Sequence, residues 1–256
     1  MSVRNDVVHK QRKTLTKKGK VYLDTEECLD STDLRTRSAP LSLYEAVKHI
    51  VSVPCLRQYV RELGFEKILN LNISLIPSNL AYKILECYND EQQSLVFKGH
   101  EIKITSDLVH DILGFPKGDF GIQFAKRTSY KKMKFDLQSF WKQYYDGDGK
   151  LKVKTKDRSF SKNLKDFIVA TNEVNDLFKL NFIILLVSTM ISSCKGGESN
   201  MKFLPSLVQH YDNINRVDWC GLVVDSLVLN KHDVKTNSRN NQYCGPITFL
   251  TVCLYF

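Results

Sequence analysis

Cys244-Gly245, with Tyr243 before it and His232-Asp233 upstream, is the grouping in this 256-residue chain that comes nearest to a nucleophilic constellation. A thiol nucleophile needs an imidazole to take its proton and a carboxylate to orient that imidazole. It also needs a charged or dipolar setting that lowers the thiol pKa. Here His232 and Asp233 are adjacent, so one element carries both, and Tyr243 stands immediately before the cysteine where an acid would help. The pattern therefore predicts no catalytic residue. His49 and Cys55 are six apart across an expected helix break, and His110 sits beside an apolar stripe. Neither histidine has a companion at ligand spacing, so both are expected to be structural and no metal site is predicted. Gly118-Asp-Phe-Gly121 contains the tripeptide DFG, but no HRD loop precedes it. The sequence also lacks GxxxxGK[ST], GxGxxG, HExxH and GxSxG, and no cofactor is predicted.

Binding chemistry is better represented. Lys126, Arg127, Lys131, Lys132 and Lys134 are interleaved with Tyr130 and Phe135, and Phe140, Trp141, Tyr144 and Tyr145 come next. Rings of this kind stack on exposed bases, worth about 1–3 kcal/mol each, while lysines neutralise phosphates. The same composition also fits aromatic residues packed on a core beneath solvated lysines. The net charge of +9 is unevenly spread. Residues 1–20 hold seven Lys/Arg against Asp6, and residues 117–165 hold 14 Lys/Arg against 5 Asp/Glu. Both islands exceed the remainder of the chain, which is net acidic, and they suggest contact with polyanions. Solvated loops are the alternative.

The length suits one large domain or two small ones. Apolar residues at 43% and charged residues at 25% are ordinary for a globular protein. The longest apolar run, Phe182 to Ile191, is well short of the about 20 residues a membrane helix needs. No apolar core succeeds the basic N-terminus, so no secretory signal is read there. Seven cysteines at 28, 55, 87, 194, 220, 244 and 253 include no CxxC pair. They are expected to be reduced, buried thiols rather than a disulfide framework.

Local signals then position the elements. Ser94 to Gly118 reads as a strand, a Lys98-Gly99 turn, a second strand with Ile102 and Ile104, and a helix. Thr105 or Ser106 caps that helix, Leu108, Val109, Ile112 and Leu113 form its stripe, and Gly114 with Pro116 ends it. Ser42-Leu-Tyr-Glu45 has the spacing of a capping box for a helix to Ile50 or Val51. Pro54 suits the first turn of a second helix closed by Gly64, and Ser78 opens a third. Ile68 to Ile76 is open between helix and strand. A short amphipathic helix is expected over 135–145 and a mobile basic loop over about 146–163. Further helices are expected over Asp176–Ser192, Leu204–Tyr211 and Asn213–Val228, and from Pro246 an apolar segment runs to Phe256. That apolar ending predicts a chain cut short at its C-terminus.

Three stretches together resemble a known family. They are Arg61-Glu-Leu-Gly-Phe65 with Leu71-Asn-Ile-Ser-Leu-Ile-Pro77, the hairpin and helix of Glu101 to Gly118, and Asp218-Trp-Cys220 with Gly245-Pro-Ile-Thr-Phe-Leu250. Over about residues 55–256 the chain resembles the plant mobile domain, also called the aminotransferase-like plant mobile domain, of the type upstream of ubiquitin-like-protease modules. The resemblance implies a transposon-derived, mostly helical and nuclear protein with no catalytic set to carry over.

The expectation is a mainly α, helical domain over 41–256 with one small antiparallel β-hairpin and a disordered basic N-terminal tail over 1–40. Function is expected to be a non-enzymatic interaction module with a protein or nucleic-acid partner, no membrane and no small-molecule substrate. The alternative is the non-catalytic N-terminal region of a cysteine protease specific for ubiquitin-like modifiers. Lys10-Gln-Arg-Lys13 and Lys17-Lys-Gly-Lys20 fit a nuclear address, with the cytoplasm as the other location.

Overall fold

The structure is a computed structural model that describes residues 35–36, 38, 40–125, 161–194, 199–236 and 242–254. Helices dominate these residues and strands are few, as the sequence predicts. Chain order begins with the two-residue strand β1 (Arg35–Thr36), then α1 (Pro40–Ser52), α2 (Pro54–Glu62) and a 3-10 turn over Glu66–Asn70. Next come α3 (Ser78–Cys87), β2 (Tyr88–Asn89), β3 (Ser94–Phe97), β4 (His100–Lys103) and α4 (Ser106–Leu113). The later part holds α5 (Ser161–Val169), α6 (Asp176–Leu186) and a π-helical turn over Val187–Ile191. It closes with α7 (Leu204–Leu207), a 3-10 stretch over Val208–Arg216, α8 (Trp219–Thr236), β5 (Gln242–Tyr243) and α9 (Ile247–Cys253).

The hairpin forms where its turn demands it. Lys98 and Gly99 both take positive φ, +48° and +81°, as a two-residue type I′ turn requires. Thr105 Oγ1 accepts the Leu108 N–H at 3.2 Å, and Gly114 closes α4 at φ +64°. The hairpin gains a third antiparallel strand, because Tyr88 and Asn89 pair with Leu95 and Ser94. Asn89 Oδ1 then accepts the N–H groups of Glu91 and Gln92 at 3.0 Å each, turning the chain into β3.

Several expectations change. The capping box over Ser42–Glu45 does not form, since Pro40 already opens α1 and leaves Ser42 inside the first turn. Glu45 instead meets Lys165 of α5 at 3.2 Å. Ile68–Ile76 is neither helix nor strand but the end of a 3-10 turn and then irregular chain. α8 starts at Trp219 rather than Asn213, because Asp218 Oδ1 accepts the Gly221 N–H at 2.8 Å and sets the boundary there. Within the expected tail, Arg35, Thr36 and Ser38 are built into the fold, because β1 pairs in parallel with β5. Residues 161–163 of the expected basic loop form the first turn of α5; the rest of that loop and the 135–145 helix lie outside the described residues.

The core is aromatic at its centre. Phe65 meets Phe115 edge-on at 5.4 Å, Trp219 at 5.6 Å and Phe182 at 6.0 Å, and all four are fully buried. Such pairs add about 0.5–1.5 kcal/mol each beyond the area they bury. Trp219 Nε1 donates to the Ile214 carbonyl at 2.9 Å, so its one polar atom is satisfied. α6 is buried continuously from Phe178 to Leu186, with α5 against it and α1 against α5. No helix among the described residues is long and apolar enough to cross a membrane.

Candidate functional site at the root of the basic segment

After α4, Pro116 to Ala125 is stitched onto the stretch from Lys202 to Trp219. The Trp219 N–H donates to the Pro116 carbonyl (3.1 Å), the Phe120 N–H to Arg216 (3.0 Å) and the Asp218 N–H to Phe120 (2.8 Å). Gln123 N–H donates to Ser206 Oγ at 3.3 Å, and Ala125 N–H to the Lys202 carbonyl at 2.9 Å. Gly118 permits this approach, since a Cβ there would lie 1.9 Å from the Arg216 carbonyl oxygen.

Three side chains stack at this root. The Phe120 and His210 rings lie parallel, 4.4 Å apart and 9° from coplanar. The Arg216 guanidinium covers the Phe120 ring at 4.7 Å and forms an ion pair with Asp119 at 2.9 Å. A second ion pair joins Lys117 to Asp107 at 2.5 Å. The hydrogen bond and charge of Lys117 hold the Asp107 carboxyl below its ordinary value, and Asp107 raises Lys117 in return. Lys117 and Arg216 are therefore each already matched by a carboxylate. The excess of positive charge lies further along the chain, in residues 126–160, which hold 11 Lys/Arg against 4 Asp. Lys126, Arg127, Lys131, Lys132 and Lys134, the residues the sequence nominates for nucleic acid, lie outside the described residues.

The other candidates resolve into structure. His49 Nε2 donates to the Thr171 carbonyl at 2.8 Å, and His110 Nδ1 to that of Phe115 at 2.6 Å. Cys244 is 6% exposed, and its carbonyl receives the Ser193 N–H (2.7 Å) and Oγ–H (3.2 Å). His232 and Asp233 sit on the single helix α8. Burial pushes the thiols of Cys220 and Cys253 up to about 12, so both stay protonated at neutral pH. Cys220 Sγ donates to the Phe115 carbonyl at 3.2 Å. The expectation of buried thiols fails at Cys55, which is exposed and donates to the Asn172 carbonyl at 3.3 Å. Its place at the start of α2 turns it outward, while its neighbour Leu56 takes the buried side. The described cysteines are unbridged. Among the described residues no three His, Cys, Asp or Glu side chains gather in a set that would hold a metal.

Sequence reasoning missed two features. Lys179 lies within the apolar run of α6, 7% exposed, with Nζ 4.1 Å from the Tyr211 ring centroid. Desolvation lowers its pKa against the opposing charges of Asp176 and Asp212. A lone lysine among Phe178, Leu180 and Phe182 was its only signal. The second is the Phe120–His210–Arg216 stack, whose members are up to 96 positions apart and share no local signature.

The likeness to the plant mobile domain does not stand, because no family of that kind matches the chain. Its most distinctive stretch, the hairpin and capped helix, is built from turn and cap signals that recur in unrelated folds. The transposon origin that it implied has no support either. No curated protein and no solved structure matches. Residues 36–251, which begin inside β1 and end within α9, match the family described as Domain of unknown function (DUF8566), and the chain belongs to that family.

Proposed function

We propose that this protein is a non-catalytic interaction module whose Lys- and aromatic-rich segment contacts single-stranded nucleic acid, with the helical body holding the root of that segment. The observation that carries the reading is the separation of charge. At the root, Lys117 and Arg216 are matched by Asp107 and Asp119, whereas residues 126–160 carry an excess of seven positive charges. Lysines release counterions when they meet phosphates, and interleaved rings stack on bases without needing a defined sequence. The Lys10–Lys13 and Lys17–Lys20 clusters support a nuclear address for such a module, which the distribution of a fluorescent fusion tests directly.

Anisotropy titration of a labelled single-stranded oligonucleotide, from about 50 to about 200 mM salt, is the decisive measurement. Affinity is expected to fall linearly on a double-logarithmic plot. The triple variant Lys131→Gln, Lys132→Gln, Lys134→Gln should reduce the slope by about 2, at about 0.7 per phosphate contact on a single strand. Absence of binding at low salt, or a slope unchanged by the triple variant, defeats the proposal.

A further inference from the structure

β1 is two residues long, lies against α3 and, among the described residues, forms a ladder with β5 alone, with Arg35 beside Gln242 and Thr36 beside Tyr243. Two positions on, Ser38 Oγ donates to the Thr189 carbonyl at 2.9 Å and lies 3.3 Å from Thr248 Oγ1. Thr189 belongs to the π-helical turn and Thr248 to the first turn of α9. One half-buried side chain thus ties β1 to both buried elements that flank β5.

The seam beneath carries hydroxyls among core side chains such as Val187, Ile191 and Tyr243. A π turn shifts the backbone ladder by one residue, and outside groups satisfy what it leaves over. Ser226 Oγ donates to the Ile191 carbonyl at 2.7 Å, Asn200 Nδ2 to that of Ser192 at 3.0 Å, and Asn200 N–H to Ser188 Oγ at 2.8 Å. Ser188, Thr189, Asn200, Ser226 and Thr248 are all buried. Just beyond both elements, Ser193 after the turn donates to the carbonyl of Cys244, the residue that follows β5. A two-residue parallel ladder is the smallest regular pairing there is. Parting the ladder alone wets backbone groups and the half-buried Thr36 and Ser38, which water can satisfy, and costs less than wetting the apolar core.

We propose that β1 with Ser38 is a latch on this seam, opening as a local unit while the aromatic core stays closed, and that its release loosens the π turn and β5 together. Elements that move are drawn from the least stable parts of a fold, and π turns are frequent at functional sites. Hydrogen exchange on the full chain tests the coupling. Ser38→Ala should speed exchange about fivefold in peptides covering 35–38, 187–193 and 242–244, with α1 and the first half of α6 unchanged. Acceleration confined to 35–38, equal acceleration everywhere, or none would overturn the latch. Should the variant fold poorly, the unaltered chain decides. Exchange of those three peptides should depend weakly on urea, whereas a dependence as steep as that of Phe178–Leu186 means that they open only by global unfolding and refutes the proposal.

Discussion

Gly118 lies directly beneath the backbone of Arg216, so close that a methyl group on its Cα would sit 1.9 Å from that carbonyl oxygen and 2.1 Å from the carbonyl carbon. The obstacle is main chain, which no rotamer change relieves. Gly118→Ala must therefore part the two strands of chain and break the Phe120–Arg216 and Asp218–Phe120 hydrogen bonds. At about 1 kcal/mol for each hydrogen bond, the expected loss is at least about 2 kcal/mol. The urea midpoint should fall by that loss divided by the denaturant slope m, and an unchanged midpoint means that the two segments are not in contact.

Phe65 holds the aromatic centre together through Phe115, Trp219 and Phe182. Phe65→Ala removes all three contacts and leaves a cavity, for an expected loss of about 3–5 kcal/mol. Thermal unfolding monitored by near-ultraviolet dichroism measures it, and a loss under about 1 kcal/mol is incompatible with this packing.

Lys179 should depress stability at neutral pH. Its folded pKa is below the ordinary lysine value, so between the two pKa values the unfolded chain holds the extra proton and stability rises with pH. Below both values the penalty is fully present; above the unfolded value it is gone. Lys179→Met is therefore expected to raise the melting temperature at pH 7, with the advantage shrinking as pH climbs through the ordinary lysine range. A destabilised Lys179→Met would show that the cation over Tyr211 outweighs its desolvation.

Alkylation should sort the cysteines by place. Cys55 is exposed at the start of α2, whereas Cys220 and Cys253 are buried and held protonated, at about 12 against an ordinary 9.0. That shift alone lowers their thiolate fraction on the order of a thousandfold. Iodoacetamide treatment and peptide mass spectrometry should find Cys55 modified long before either of them. Equal rates in the folded protein would contradict the burial.

Legibility in the sequence depends on how local the signal is. Lys98-Gly99, Thr105 and Gly114 declare the hairpin and α4 because turn φ angles and cap hydrogen bonds are settled within four residues. The apolar run after Asp176 announces α6, while the structure adds its cap, the Asn175 side chain accepting the Phe178 N–H at 2.8 Å. Ser42–Glu45 misled because the signal it competes with, Pro40, opens the helix two residues earlier. α8 was displaced because the apolar residues Ile214 and Val217 extend its stripe backwards into a 3-10 stretch that tertiary contacts dictate.

Residue order alone determined a mainly helical chain with a small antiparallel sheet, the pairing of particular turns with particular caps, and a concentration of positive charge after residue 125. Only the assembled tertiary structure decided that Phe120 would meet both His210 and Arg216, that Lys179 would rest on Tyr211, and that Ser38 would reach both Thr189 and Thr248. Each of those meetings joins residues 32 to 210 positions apart. Their energy depends on how whole elements settle against one another, and no periodicity within a single element records that.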